Sequence, residues 1–197
     1  MARLDPLKVD QLSDQAKSDL AYAEQLMGFV PNDVLTMAKW PSFLDAVKNL
    51  VSVVYAPGEL DAGLKRMIAT VVSGAAGCVY CQAHTAHGAV KMAGADAEKV
   101  NRVWEYETNS LFSVAEKAAL SLAMAAGTQP NSATDEHFDN VKKYYSETQI
   151  MEMMGMISLF GLLNRWNDTV KTDLEAVPLS FAQENINSKH WKDPSVD

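Results

Sequence analysis

The chain of 197 residues contains two cysteines, Cys78 and Cys81, three residues apart in a Cys-x-x-Cys segment followed by His84 and His87. A secreted disulfide scaffold needs more cysteines at wider spacing, so a lone pair at this spacing points to thiol chemistry rather than stapling. The segment runs Gly74-Ala75-Ala76-Gly77-Cys78-Val79-Tyr80-Cys81-Gln82-Ala83-His84-Thr85-Ala86-His87-Gly88. After a glycine-broken turn, Cys78 falls at or near a helix N-terminus, where unpaired N–H groups and the helix dipole favour an anion. The thiolate is the reactive form of cysteine, and this placement can lower a thiol pKa well below its free value. Thiolate attack on a peroxide oxygen gives a sulfenic acid, which a second nearby thiol condenses into a disulfide.

Competing readings of the same residues stay open. Two free cysteines can simply be small buried apolar side chains. Zinc is a rival, because the string C-x2-C-x2-H-x2-H offers four ligands. On one continuous helix, however, each three-residue step turns a side chain back by roughly 60°, so Cys78 and His87 would face apart and could not close a tetrahedron. His84 is either a partner of Cys81 or a hydrogen-bonded structural histidine. His87, beside Gly88, reads as a surface or interface residue, and His137 and His190 as solvated. Tyr80 reads as a packing aromatic whose hydroxyl finds a partner. The group Met151, Met153, Met154 and Met156 reads as core or interface filler, and Arg165 with Asp168 as an ordinary ion pair on a helix.

The elements that must position the cysteines are helical. Leu64, Met67, Ile68, Val71, Val72 and Ala75 follow the i, i+3, i+4, i+7 rule, as do Ala115, Ala118, Ala119, Leu122 and Ala126, and then Ile150, Met153, Met154, Ile157 and Gly161. No run of period-two alternation is sustained. The pattern predicts helices near 10–27, 32–38, 41–55, 60–74, 78–93, 96–105, 113–126, 134–144, 147–163 and 165–175. The tail from Pro178 reads as an irregular arm lying on a neighbouring surface. No linker divides the chain, so the expectation is one all-α domain over 1–177 with an arm over 178–197. A loose internal echo pairs helices 60–74 and 78–93 with 113–126 and 147–163.

The net charge of −8 argues against nucleic acid or an anionic membrane as the main partner. No segment approaches the roughly 20 apolar residues of a membrane span, and the N-terminus lacks a secretory pattern, so a cytoplasmic location is expected.

Cys78-x-Tyr80-Cys81 with a close His resembles the core motif of the AhpD-like alkylhydroperoxidases and carboxymuconolactone decarboxylases. Residues 31–38 with a following Pro41 are similar to the N-terminal signature of that family's peroxidase-related subgroup, and residues 164–168 to its C-terminal one. The resemblance covers about 28–175. It implies an AhpD-like helical bundle associating as dimers, trimers or hexamers, with the cysteines near a subunit junction. It also implies that Cys81 attacks peroxide and Cys78 resolves. Two positions depart from the family. Thr85 stands where the usual His falls, and Arg66 replaces the relay Glu; an arginine cannot shuttle a proton near neutral pH. A usual His at position 85, about +40° round the helix from Cys81, would serve both sulfurs, whereas His84, at about −60°, reaches only Cys81. The family relay is therefore incomplete, leaving weak peroxidase activity or a relay through His84 and His87.

The expected function is a thiol-dependent hydroperoxide reductase with Cys78, Cys81, His84 and His87 as catalytic residues. It would use no cofactor or metal, and an unknown thiol or lipoyl-type reductant would reset the pair. The alternatives are a non-catalytic or redox-sensing helical oligomer and, more remotely, a lactone decarboxylase working without its cysteines.

Overall fold

Helix α4, Ala62–Ala75, is the element around which the others are assembled. Met67, Ile68, Ala69, Val71 and Val72 are all buried, leaving almost no outward face, as befits a helix enclosed by neighbours. Helices α5 (Val79–Lys91), α7 (Val114–Gly127) and α9 (Glu147–Val170) pack on it. Around this centre lie α1 (Asp14–Met27), α2 (Asn32–Met37), α3 (Pro41–Tyr55), α6 (Ala97–Asn101), α8 (Asp135–Val141) and α10 (Ala176–Asn185). The computed structural model describes residues 2–186 and 190–196, the side chains of residues 19, 22, 23 and 26 excepted. Among the described residues every regular element is helical, and no helix is long and apolar enough to cross a membrane.

Local chemistry sets the helix starts. Ser13, Asp61, Asp96, Ser113 and Ser146 each accept a backbone N–H as N-caps, and Ser113–Glu116 and Ser146–Gln149 form reciprocal capping boxes. One buried cation is anchored in the core. Lys65 pairs with Glu152 at 2.6 Å and donates to Ala56 O at 3.0 Å, while Glu152 accepts from Glu59 N at 2.8 Å.

Several boundaries differ from the sequence reading; the helix expected over 96–105, for one, is α6 followed by a separate 3-10 turn at Val103–Glu105. The helix expected over 165–175 is the end of α9, which runs unbroken from Glu147 to Val170 and stops at Lys171 in the left-handed region. No Gly or Pro lies between 162 and 170 to end it sooner. The tail is not irregular from Pro178, because Pro178 stands in the first turn of α10, where its missing N–H leaves no bond unmade. Phe181, Ala182, Ile186 and Trp191 then join the main apolar cluster.

Candidate active site

The joint between α4 and α5 places Cys78. Ala76 caps α4, Gly77 takes a φ of +80°, Gly77 N donates to Gly74 O at 3.0 Å and Cys78 N to Ser73 O at 2.9 Å. This is a Schellman ending, which needs glycine at the left-handed position. The residue that completes it, Cys78, is also the N-cap of α5, and its Sγ accepts the Cys81 backbone N–H at 3.4 Å. One short turn thus ends a helix and sets a sulfur on the next helix's electropositive end.

Both cysteines are free thiols and buried, Cys78 at 0 % and Cys81 at 3 % exposure. Burial pushes the Cys81 thiol well above its usual range, and direct interaction with Cys78 pushes it further; the Asn167 amide, donating to Cys81 Sγ at 3.4 Å, opposes this only in part. Cys81 is therefore held as a neutral thiol.

Behind Cys81 lies a linked polar cluster. Asn167 Nδ2 also donates to Asp33 Oδ2 at 3.2 Å, and Asn167 Oδ1 accepts from Thr172 Oγ1 at 2.7 Å. His84 does not bond to sulfur. Its Nε2 donates to Glu175 Oε2 at 2.6 Å, and its ring stacks on Tyr80 with centroids 4.1 Å apart. Glu175 Oε1 accepts from Tyr80 Oη at 2.8 Å and from Asn32 N at 2.5 Å. Burial works against the Glu175 charge, but the His84 hydrogen bond and charge outweigh it and hold the carboxylate below its ordinary pKa. Asp33 goes the other way. Burial raises its pKa despite His84's charge and Asn167's hydrogen bond.

The four residues singled out in the sequence do not form one set. Cys78 and Cys81 are brought together, and His84 joins the cluster behind them through Glu175. His87 is buried with its ring edge-on to Phe29 and Phe181, and burial lowers its pKa. Thr85, at the usual His position, bonds back to Cys81 O at 2.8 Å. Arg66 lies over the Tyr55 ring at 4.5 Å. His190, read as solvated, is exposed and stacks on Trp104. Sequence reasoning missed Asp33, Asn167 and Glu175, which reach the site from distant segments. It also misread Asp168, which forms no ion pair with Arg165 but interacts with the Cys78 thiol; partial burial raises its pKa and that interaction offsets the rise in part. Among the described residues no group of three or more His, Cys, Asp or Glu side chains is arranged to hold a metal ion.

The tail closes over the same turn. Trp191 Nε1 donates to Val79 O at 3.0 Å, between the two cysteines.

The profile of the Carboxymuconolactone decarboxylase family matches residues 41–129. No curated protein sequence matches. Among solved structures, the debrominase Bmp8 is 35 % identical, with a TM-score of 0.85 over 92 % of this chain and 96 % of that one. A Cys-to-Ala variant of that debrominase, in complex with 2,3,4-tribromopyrrole, superposes with a TM-score of 0.86. A peroxidase-related protein from Ralstonia eutropha JMP134 with an AhpD core shares the fold at 21 % identity, with a TM-score of 0.79 over 92 % of this chain and 95 % of that one. By its helical fold, its matched segment and its full-length likeness to these relatives, the chain belongs to the AhpD-like carboxymuconolactone decarboxylase family.

Proposed function

We propose that the chain is a dithiol-dependent reductase in which Cys78 and Cys81 deliver two electrons to a small organic acceptor and close to a disulfide. The observation that carries this reading is the placement of Cys78 Sγ on the Cys81 N–H at the start of α5, in direct interaction with a Cys81 thiol kept protonated. That asymmetry favours Cys78 as the attacking sulfur and Cys81 as the resolving one, the reverse of the order the family resemblance implies. A thiolate at a helix N-terminus is the standard form of a reactive cysteine, and a neutral neighbour in contact is positioned for the second step.

The favoured acceptor class is a brominated N-heteroaromatic, because the relative with 35 % identity across nearly both whole chains is a debrominase whose Cys-to-Ala variant binds 2,3,4-tribromopyrrole. In that reaction the C–Br bond breaks, a C–H bond forms, an S–S bond joins Cys78 to Cys81, and bromide leaves with the second thiol proton. The second reading is the hydroperoxide reductase expected from the Cys-x-x-Cys motif. There the O–O bond breaks, and an alcohol and water carry away both thiol protons. Both consume the same pair, and an external thiol must reduce it again. His84, paired with Glu175 and stacked on Tyr80, stands three residues on from Cys81 in α5.

The test is to mix the reduced protein with one equivalent of a polybrominated pyrrole or, separately, of cumene hydroperoxide. The expected result is loss of both free thiols with one equivalent of debrominated pyrrole or of alcohol. Two thiols still free under both treatments would end the proposal.

A further inference from the structure

Helix α3 carries an apolar stripe that the chain itself leaves uncovered. Phe43, Ala46, Leu50 and Val53 follow a 3, 4, 3 spacing and fall within about 80° of one another round the helix. Ala46 is exposed, Leu50 is 40 % exposed and Val53 73 %. Trp40, at 64 %, extends the stripe by stacking on Phe43 with ring centroids 5.3 Å apart. Phe43 stacks in turn on Trp166 of α9, also at 5.3 Å. At the other end of α3, Val54 lies 3.6 Å from where a Cβ of Gly155 would sit. These two contacts make α3 and α9 antiparallel neighbours that share one outward face. On α9 that face holds Met151, 68 % exposed, followed by Gly155, Ser158 and Leu162.

The face carries no charge. The charged residues of α3, Asp45 and Lys48, pair with each other at 3.7 Å on an arc about 120° or more from the centre of the stripe. Between Met151 and Asn164 the one charged residue of α9 is Glu152, turned inward onto the buried Lys65 at 2.6 Å. Depletion of charge marks the centre of a protein contact rather than a solvated surface. Trp40, Leu50, Val53 and Met151 leave on the order of 400 Å² uncovered, the size at which an apolar patch on a soluble chain marks a contact surface. A face two helices wide and one 15-residue helix long offers on the order of 600 Å² to a partner, so a symmetric pair reaches the roughly 1,200 Å² at which stable interfaces begin. The stripe also complements itself. A twofold axis near Ala46 sets Trp40 opposite the partner's Val53 and Phe43 opposite the partner's Leu50, each ring against a smaller aliphatic side chain, with the two small alanines at the crossing. We propose that this face of α3 and α9 seats a second copy of the chain, the two α3 helices packing antiparallel about that axis. The contact is independent of the reductase reading, because no thiol and no residue of the polar cluster belongs to it.

The test reads mass and proximity separately. Light scattering after size exclusion, at micromolar concentration, is expected to give the wild-type chain an even number of subunits. Leu50→Glu combined with Val53→Glu sets carboxylates into the seam from both copies and is expected to reduce that mass at least by half. Both side chains are exposed in the single chain, so the far-UV circular dichroism of this variant is expected to match wild type. A second variant probes the axis without disturbing the pair. With Cys78 and Cys81 both replaced by Ser, Ala46→Cys is expected to cross-link to its own copy under mild oxidation, giving a band of doubled mass. Asp45→Cys, on the other arc of α3, is expected to stay single. A monomeric wild type overturns the pairing, even where Leu50 and Val53 prove to bind an unrelated chain. So does a mass unchanged by the two glutamates, or an Asp45→Cys band as strong as that of Ala46→Cys. Should the glutamates unfold the chain, absence of the Ala46→Cys band is the result that overturns the seam.

Discussion

The two sulfurs stand one helical turn apart but face very different surroundings. On the Cys81 side the polar groups are linked to one another: Asn167 serves the thiol and Asp33, Thr172 fixes Asn167, and Glu175 gathers His84, Tyr80 and the Asn32 backbone. A linked network serves to hold geometry. The fold ties Cys81 into a linked polar network and sets Cys78 beside the Cys81 N–H and the Asp168 carboxyl group.

Substitutions can break that contrast, and the largest effect belongs to the sulfurs. Cys78→Ser is expected to lower kcat/KM at least about 10³-fold, roughly 4 kcal/mol of lost transition-state stabilisation. Cys81→Ser is expected to stop after one event with Cys78 carrying a single-sulfur adduct, seen by intact mass; a full second turnover without added thiol would reverse the assignment. Next is the linked network. Glu175→Gln keeps its shape but loses the charge that His84, Tyr80 and Asn32 address, so urea unfolding at neutral pH should show a loss of about 1.5–3 kcal/mol. The native pKa of Glu175 lies below its ordinary value of 4.5, so the native state binds this proton less readily than the unfolded chain. The stabilisation is therefore complete above that ordinary value and fades as pH falls through the native one. The gap between wild type and Glu175→Gln should narrow on acidification, and a gap that widens would contradict the charge assignment. A smaller effect is expected at Asn167, whose single bond to Cys81 is worth about 1 kcal/mol. Asn167→Leu should slow disulfide closure about fivefold in quenched-flow mass spectra. The smallest effect is expected at His87, whose ring meets only the edges of Phe29 and Phe181. His87→Phe should change kcat/KM by less than about threefold, under roughly 0.7 kcal/mol, and a tenfold drop would bring it back into the cycle.

The part of this arrangement legible in the sequence was the local part. Gly77 before Cys78 announced a helix end and a new start, and the cap geometry followed. His84 was recognised, but its partner could not be, because Glu175 lies 91 residues away and meets it only after α10 folds back. Asn164 to Asp168 were noticed as a signature, yet helical spacing alone suggested an Arg165–Asp168 pair. It carries no information on whether a residue facing away from its own helix meets a thiol on another. Pro178 was read as a stop, because a proline in the first turn and one that ends a helix look alike until the turn before it is placed.

The indole of Trp191, resting on the carbonyl of Val79, gives the molecule an optical gauge. A bond drawn between the sulfurs on either side of that carbonyl must tug the peptide to which the ring is tethered. Emission from this one fluorophore, isolated by replacing the other three tryptophans with phenylalanine, would follow each closing and reopening of the pair in real time, without dye, coupled enzyme or bromide electrode.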